Sequence, residues 1–181
     1  MRIIAGKFKS RNIIAPENEA TRPSSDRTRE GIYNVIAPYV YEANVLDIFS
    51  GSGALAIEAI SRGAKKATLI ENNDLALKAI NENINSLKIK DECVILNDDY
   101  HIIETINDKF DIILLDPPYK MDVMDEILKI IEDKNLLNDY GVIVYESAVN
   151  NCLKDVYKNY KLKVKKYGIA YVSFLFKQKE N

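Results

Sequence analysis

Asn44-Val45-Leu46-Asp47-Ile48-Phe49-Ser50-Gly51-Ser52-Gly53-Ala54-Leu55-Ala56 decides how this chain folds. Residues 44–49 are a short, mostly apolar run with the length of a buried strand, and residues 53–62 carry a helical pattern. Between them, glycine at 51 and 53 permits unusual backbone angles and lets a ligand approach without meeting a Cβ. Strand, tight turn and helix in that order form the first half of a βαβ unit. The rhythm continues toward the carboxyl terminus, with strands predicted at 66–71, 93–97, 111–115 and 141–146. Helices are predicted between them at 73–87, 100–107 and 122–134, the last with Val123, Ile127, Ile130 and Ile131 at helical spacing. Two further strands, about 160–166 and 170–177, form an antiparallel pair around Gly168. The predicted architecture is α/β: a Rossmann-like, seven-stranded, mostly parallel sheet flanked by helices. In such sheets ligands bind beyond the carboxyl ends of the strands, at the switch point beside the first one.

Ahead of the first strand, Arg2–Ala5 and Asn12–Ala15 read as short strands of a hairpin-like arm turning at Gly6, followed by a loop over Pro16–Ala20. Ser24 or Ser25 can cap a helix through Arg29, Ile32, Tyr33 and Ile36, which Pro38 is expected to stop. No repeat, low-complexity segment or linker interrupts the 181 residues, so a single domain is expected, with arm and helix in 1–40 and catalytic core in 41–181.

Composition narrows the chemistry. With 47% apolar and 29% charged residues the chain can bury a sizeable core, which excludes disordered, collagen-like and mini-protein classes. It has no uncharged apolar stretch of membrane-spanning length, and its amino terminus is charged without an apolar region behind it, so a cytoplasmic location is expected. Cys93 and Cys152 lie 59 positions apart without CxxC spacing, which argues against a zinc site or disulfide scaffold. A lone histidine, His101, leaves no His-rich metal cluster and makes a Ser/His/Asp triad a poor fit; it reads as a helix-surface residue. No metal is expected, and the chemistry falls to carboxylates, amides, hydroxyls or a cofactor.

Net charge is −2, but unevenly spread. Residues 1–30 hold seven Lys/Arg against four Asp/Glu, and residues 151–181 hold eight against two, leaving the middle strongly acidic. Two basic ends that converge in the fold would make a phosphate-binding patch, whereas Lys161, Lys163, Lys165 and Lys166 could equally be the solvated face of an edge strand.

Gly51 to Ala56 satisfies GxGxxA, and Glu71 follows Gly51 by 20 residues, so NAD and S-adenosylmethionine both remain possible cofactors. Asp47, two positions before Phe49, favours the latter, because a carboxylate there holds a cationic amino group but repels a pyrophosphate. Glu71 can take both hydroxyls of a ribose, and Asp98 or Asp99 the adenine amine, with Asp98 preferred for its place just past the strand. Asp116-Pro117-Pro118-Tyr119 follows an apolar strand: two prolines hold the turn, the Asp116 side chain and Pro117 carbonyl can accept hydrogen bonds, and Tyr119 can stack. Such a loop suits a planar exocyclic amine, whose two hydrogens it binds while the nitrogen lone pair faces an electrophilic methyl. Arg22, Arg27 and Arg29, in the segment Thr21–Glu30, are candidates for clamping a phosphate backbone.

Across almost its whole length the chain resembles the RsmD-type 16S rRNA guanine-N2 methyltransferases. The resemblance rests on Arg2-Ile3-Ile4-Ala5-Gly6, on Thr21-Arg22-Pro23 with Asp26-Arg27 and Arg29-Glu30, on Asp47 to Leu55, and on Asp116-Pro117-Pro118-Tyr119. It implies a class I methyltransferase fold and methyl transfer from S-adenosylmethionine to N2 of guanine 966 in 16S rRNA, within a partly assembled small ribosomal subunit. Asp47, Phe49, Gly51, Gly53, Glu71 and Asp98 would hold the cofactor, and Asp116, Pro117, Pro118 and Tyr119 the target base. Ser50 and Ala56 depart from the family's commoner alanine and glycine, both compatibly with the turn. Other readings of the same residues are an adenine-N6 DNA or protein-glutamine methyltransferase, an NAD-dependent oxidoreductase, and a non-catalytic ribosome-assembly factor.

Overall fold

The computed structural model describes residues 1–16, 26–118, 120–149 and 159–178. Its sheet has seven strands in the order β3-β2-β1-β4-β5-β7-β6. They are β1 (Asn44–Ile48), β2 (Lys66–Glu71), β3 (Cys93–Asn97), β4 (Phe110–Leu115), β5 (Leu137–Ser147), β6 (Tyr160–Tyr167) and β7 (Ala170–Lys177). Strands β1 to β5 are parallel, and β7 runs antiparallel between β5 and β6. The helices are α1 (Asp26–Val40), α2 (Ala54–Ser61), α3 (Asp74–Leu87) and α4 (Met124–Asp133).

Central parallel strands are covered on both faces, so they tolerate little but apolar side chains. Two core clusters result. One packs Ile32, Tyr33, Ile57, Ile60 and Ile80 from α1, α2 and α3 over one face, and the other packs Ile127, Leu128 and Ile131 of α4 over the opposite face. Of the four residues at helical spacing, Val123, Ile127 and Ile131 are buried and Ile130 is partly buried against the same cluster. Among the described residues no helix is long and apolar enough to cross a membrane.

Several local expectations change. The amino-terminal arm is not two strands but a turn closed by one antiparallel bridge, Arg2 to Asn12. Pro38 lies inside α1, which continues to Val40. Its missing N–H forfeits one bond in the last turn, a modest loss so near a helix end. Residues Tyr100–Thr105 form a 3-10 helix and not an α-helix over 100–107; Asp99 caps its start and Ile106 leaves it in extended geometry. Strand β5 begins four residues early, and its pairing with β4 shifts register between Phe110 and Ile112 while Tyr140 takes a positive φ of 65°. The loop expected over Pro16–Ala20 from its second residue on, the capping Ser24 or Ser25, and Cys152 lie outside the described residues.

The arm is fixed to the back of α2 and α3. Gly6 has φ +83°, and a Cβ there would lie 1.8 Å from the Ser61 carbonyl oxygen, so glycine is required by both conformation and space. Lys7 N–H donates to Ser61 O (2.7 Å), and the amides of Ile4 and Ala5 donate to the Glu58 carboxylate (2.8 and 3.0 Å). Asn83 of α3 pairs with both backbone groups of Ile14 and also donates to Ser52 O of the glycine turn (3.0 Å).

Candidate active site at the carboxyl ends of the parallel strands

Strand register sets the site. Ile48, the last residue of β1, pairs with Ile70 of β2 and with Leu115 of β4, and Glu71 pairs with Asn97 of β3. The segments that follow, Phe49–Gly53, Glu71, Asp98 and Asp116, therefore stand in one row along one end of the sheet. The residues expected to bind cofactor and base that the structure describes are brought together there; Tyr119 and Arg22 lie outside the described residues.

The glycine turn is built tightly. Ser50 N–H donates to Ile70 O (3.1 Å) and its Oγ donates to Asp47 O (2.7 Å), so serine contributes to the turn. Gly51 and Gly53 take φ of 54° and 75°, in the left-handed region where glycine is favoured, and Phe49 takes φ 66° despite its side chain. A Cβ on Gly53 would press on Leu69 Cδ2 at 3.1 Å. The strained Phe49 ring meets Tyr100, centroids 5.7 Å apart, and Tyr100 in turn stacks on His101 at 4.1 Å. An aromatic wall thus runs from the end of β1 to the end of β3.

Asp47 is 1% exposed. Its Oδ2 accepts from Ala56 N–H in the first turn of α2 (3.2 Å), whereas Oδ1 is buried with no hydrogen-bond partner. Burial pushes its carboxyl up from 3.8 to about 7; the Ala56 amide opposes this and the nearby Glu71 charge adds to it. A buried acceptor left open is costly unless something supplies a donor. Glu71 is half-buried: Oε2 accepts from Gly51 N–H (2.8 Å), and Oε1 accepts from the Asn72 and Asn73 amides (2.9 Å each). A carboxylate has about four lone-pair positions, so Glu71 shapes the turn and keeps capacity for one more donor.

Asp98 and Asp99 separate cleanly. Asp99 Oδ1 accepts from the His101 amide (2.8 Å) and contacts His101 Nδ1 (2.9 Å), which makes it the cap of the 3-10 helix. Asp98 is exposed, and its Oδ1 accepts from Asp99 N–H (2.8 Å). His101 is a surface residue, as expected; its hydrogen bond to Asp99 raises its imidazole above the ordinary range, aided by the charges of Asp99, Glu126 and Glu104. Cys93 is a free thiol pushed up to about 12, mainly by burial and also by Glu92, which makes it a poor nucleophile at neutral pH.

In the Asp116 loop, Pro117 is buried, Asp116 is half-buried, and the Pro118 carbonyl accepts from Met121 N–H (2.8 Å) to close the turn. Of the three arginines expected to meet phosphate, Arg27 is exposed but Arg29 is wholly buried. The Arg29 guanidinium donates to Arg2 O (2.6 Å) and Asp26 (2.8 Å) and stands 3.8 Å from Glu58, so it clamps the arm to the fold and is withdrawn from any phosphate backbone.

Glu58 and Asn83 were not predicted from the pattern of residues. Glu58 is a carboxylate in the middle of a fully buried helix whose remaining residues, Ser61 apart, are apolar, and that mismatch is the available signal.

The family model described as "Conserved hypothetical protein 95" matches residues 1–176. Ribosomal RNA small subunit methyltransferase D of Escherichia coli is 35% identical over 162 residues, covering 90% of this chain and 82% of that one. The protein of the same name from Haemophilus influenzae is 31% identical, covering 81% and 78%. Among solved structures, the Escherichia coli protein yhhF superposes with a TM-score of 0.88 at 32% identity, over 98% of both chains. With this fold, this row of residues and these relatives, the chain belongs to the family of Conserved hypothetical protein 95, the RsmD-type methyltransferases.

Proposed function

We propose that this protein transfers a methyl group from S-adenosylmethionine to the exocyclic amine N2 of a guanine in small-subunit rRNA, guanine 966 of 16S rRNA, on a partly assembled subunit. The observation that carries it is the row at the strand ends, in which an open carboxylate, a glycine turn and a ribose-sized acceptor stand beside the Asp116 loop. The names of the relatives from Escherichia coli and Haemophilus influenzae support the substrate class.

The residues fit the cofactor. Asp47 Oδ1 supplies the missing half of an ion pair with an ammonium group, Gly51 and Gly53 allow close backbone approach, Glu71 can take a ribose hydroxyl, and Asp98 the adenine amine. Phe49 and Tyr100 offer an apolar wall for the ring. When bound, the cofactor supplies an electrophilic methyl on a sulfonium.

Asp116 and the Pro117 carbonyl accept the two N2 hydrogens and turn the nitrogen lone pair toward that methyl, while Tyr119 stacks on the base. The N–C bond forms as the S–C bond breaks, and the extra proton on nitrogen then passes to solvent, so no strong base is needed. Arg27 and the basic ends would hold the RNA.

The test is transfer of labelled methyl from S-adenosylmethionine to small ribosomal subunits from cells lacking the gene, with the modified base mapped. Label on a guanine N2 is expected. Label only on DNA adenine or protein glutamine would replace this substrate with those. Thermal stabilisation by NAD and none by S-adenosylmethionine would overturn the cofactor, and cofactor binding without transfer to any amine would leave an assembly factor. Asp116→Ala should keep cofactor affinity and lower turnover by orders of magnitude; normal turnover would remove Asp116 from the reaction.

A further inference from the structure

The start of α1 and the basic strand β6 meet on one side of the sheet. Gly31 of α1 sits so close to Tyr167, at the end of β6, that a Cβ there would lie 2.2 Å from the ring Cε1. Arg27, exposed, is one helical turn ahead of Gly31 and so overhangs the same end of β6. Along β6, Lys161, Lys163 and Lys165 alternate with Leu162 and Val164, which puts the three lysines on the face of Tyr167, about 6–7 Å apart. Their partners across β7 are Phe176, Phe174 and Val172, members or neighbours of the cluster under α1. The lysines therefore form a row beside α1, continuous with Arg27.

The height of the row is fixed by register. Lys165 pairs with Val172, which pairs with Glu146, one residue past Tyr145, and Tyr145 pairs with Leu115, directly before Asp116. Its upper end is thus level with the Asp116 loop and three strand spacings away, about 14 Å. All four side chains are exposed, and among the described residues none of them forms an ion pair. Glu30, the exposed acid on the nearest turn of α1, also makes none with them. Edge strands often carry lysine to block pairing with other chains. Edge protection does not explain why the row runs on to the exposed Arg27 of α1, on a chain whose excess acid lies elsewhere.

We propose that Arg27, Lys161, Lys163 and Lys165 form a track for the phosphate backbone of the substrate RNA, holding nucleotides that flank the target base. The proposal rests on the RNA substrate argued above and adds where that RNA runs: from the Asp116 loop across the ends of β5 and β7, then down β6.

The variant Lys161→Gln/Lys163→Gln/Lys165→Gln is compared with wild type for binding to small ribosomal subunits lacking the modification, across a range of salt concentrations. Losing three phosphate contacts should lower the slope of log affinity against log salt by about two to three and weaken binding about tenfold or more near physiological salt. The KM for the subunit should rise, with kcat, S-adenosylmethionine affinity and melting temperature unchanged. Arg27→Gln, on a different element, should add a further drop in slope of about one. A folded triple variant that keeps the wild-type affinity and slope overturns the track and leaves the lysines as edge protection. Wild-type protein that binds no ribosomal RNA overturns the substrate itself.

Discussion

Two buried carboxylates, Asp47 and Glu58, flank the same glycine turn, each 1% exposed, and the fold completes one and leaves the other open. Glu58 accepts from the Ile4 and Ala5 amides and from Arg62 Nε (2.7 Å), with Arg29 Nε at 3.8 Å. Asp47 has one amide, from Ala56, and an Oδ1 with nothing. Charge buried with full partners holds structure together, whereas charge buried without them is tolerated where a ligand completes it. Two sides of one helix, α2, are thereby divided: its back carries the arm, and its first turn, through the Ala56 amide, meets Asp47. Arg2–Gly6, which carries part of the family resemblance, and Arg29, a candidate for RNA contact, belong to the back.

The comparison breaks most readily at Glu58. Glu58→Ala leaves Arg29 buried with a lost counter-charge and strands two amides of the arm, and removing one partner of a buried pair costs about 3–5 kcal/mol. Urea unfolding should show that loss, with cofactor affinity at the permissive temperature retained; a loss below about 1 kcal/mol would mean that the arm is held elsewhere. Next comes Asn83→Ala, which leaves the Ile14 amide and carbonyl and the Ser52 carbonyl without their partner. Stability should fall by about 2–3 kcal/mol. Because Ser52 is in the glycine turn, cofactor affinity should also weaken several-fold, an effect absent in Glu58→Ala; equal cofactor affinity in the two variants would separate the arm from the turn.

Much of this arrangement was legible from residues alone, for a physical reason. Apolar runs of five or six residues alternating with helical patterns mark β1 to β4, and their common direction places Asp47, Glu71, Asp98 and Asp116 at one end without knowledge of any contact. The back of α2 was not legible, because Glu58 meets Ile4 across 54 positions and Asn83 meets Ile14 across 69, separations that no local period encodes. Arg29 is the instructive exception. It lies three, four and seven residues before Ile32, Tyr33 and Ile36, on the buried stripe of α1, so helical spacing placed it inside even though its charge suggested the surface. The early start of β5 is hidden for the opposite reason, since half-buried Asn138 and exposed Asp139 and Tyr140 extend a strand that breaks register.

Asp47 gives the smallest effect per step and the sharpest distinction. Its folded carboxyl titrates at about 7 against an ordinary 3.8, so between those values the folded protein holds a proton that the unfolded chain has released. Stability then falls as pH rises through that window, by at most about 1.4 kcal/mol per pH unit, and levels off above about 7. Asp47→Asn, which cannot ionise, should lack this slope, so that variant gains on wild type with rising pH. His101, whose imidazole is also raised by its hydrogen bond to Asp99, is present in both proteins and cancels in the difference. Cofactor binding should run the other way, because an ammonium prefers the ionised carboxylate: wild-type affinity should strengthen up to about tenfold per pH unit toward 7, and the variant should bind weakly and independently of pH. Melting curves and calorimetric titrations from pH 5 to 8 give both slopes. If the stability curves of wild type and variant run parallel, Asp47 is ionised and satisfied in the folded protein, and the contrast with Glu58 disappears.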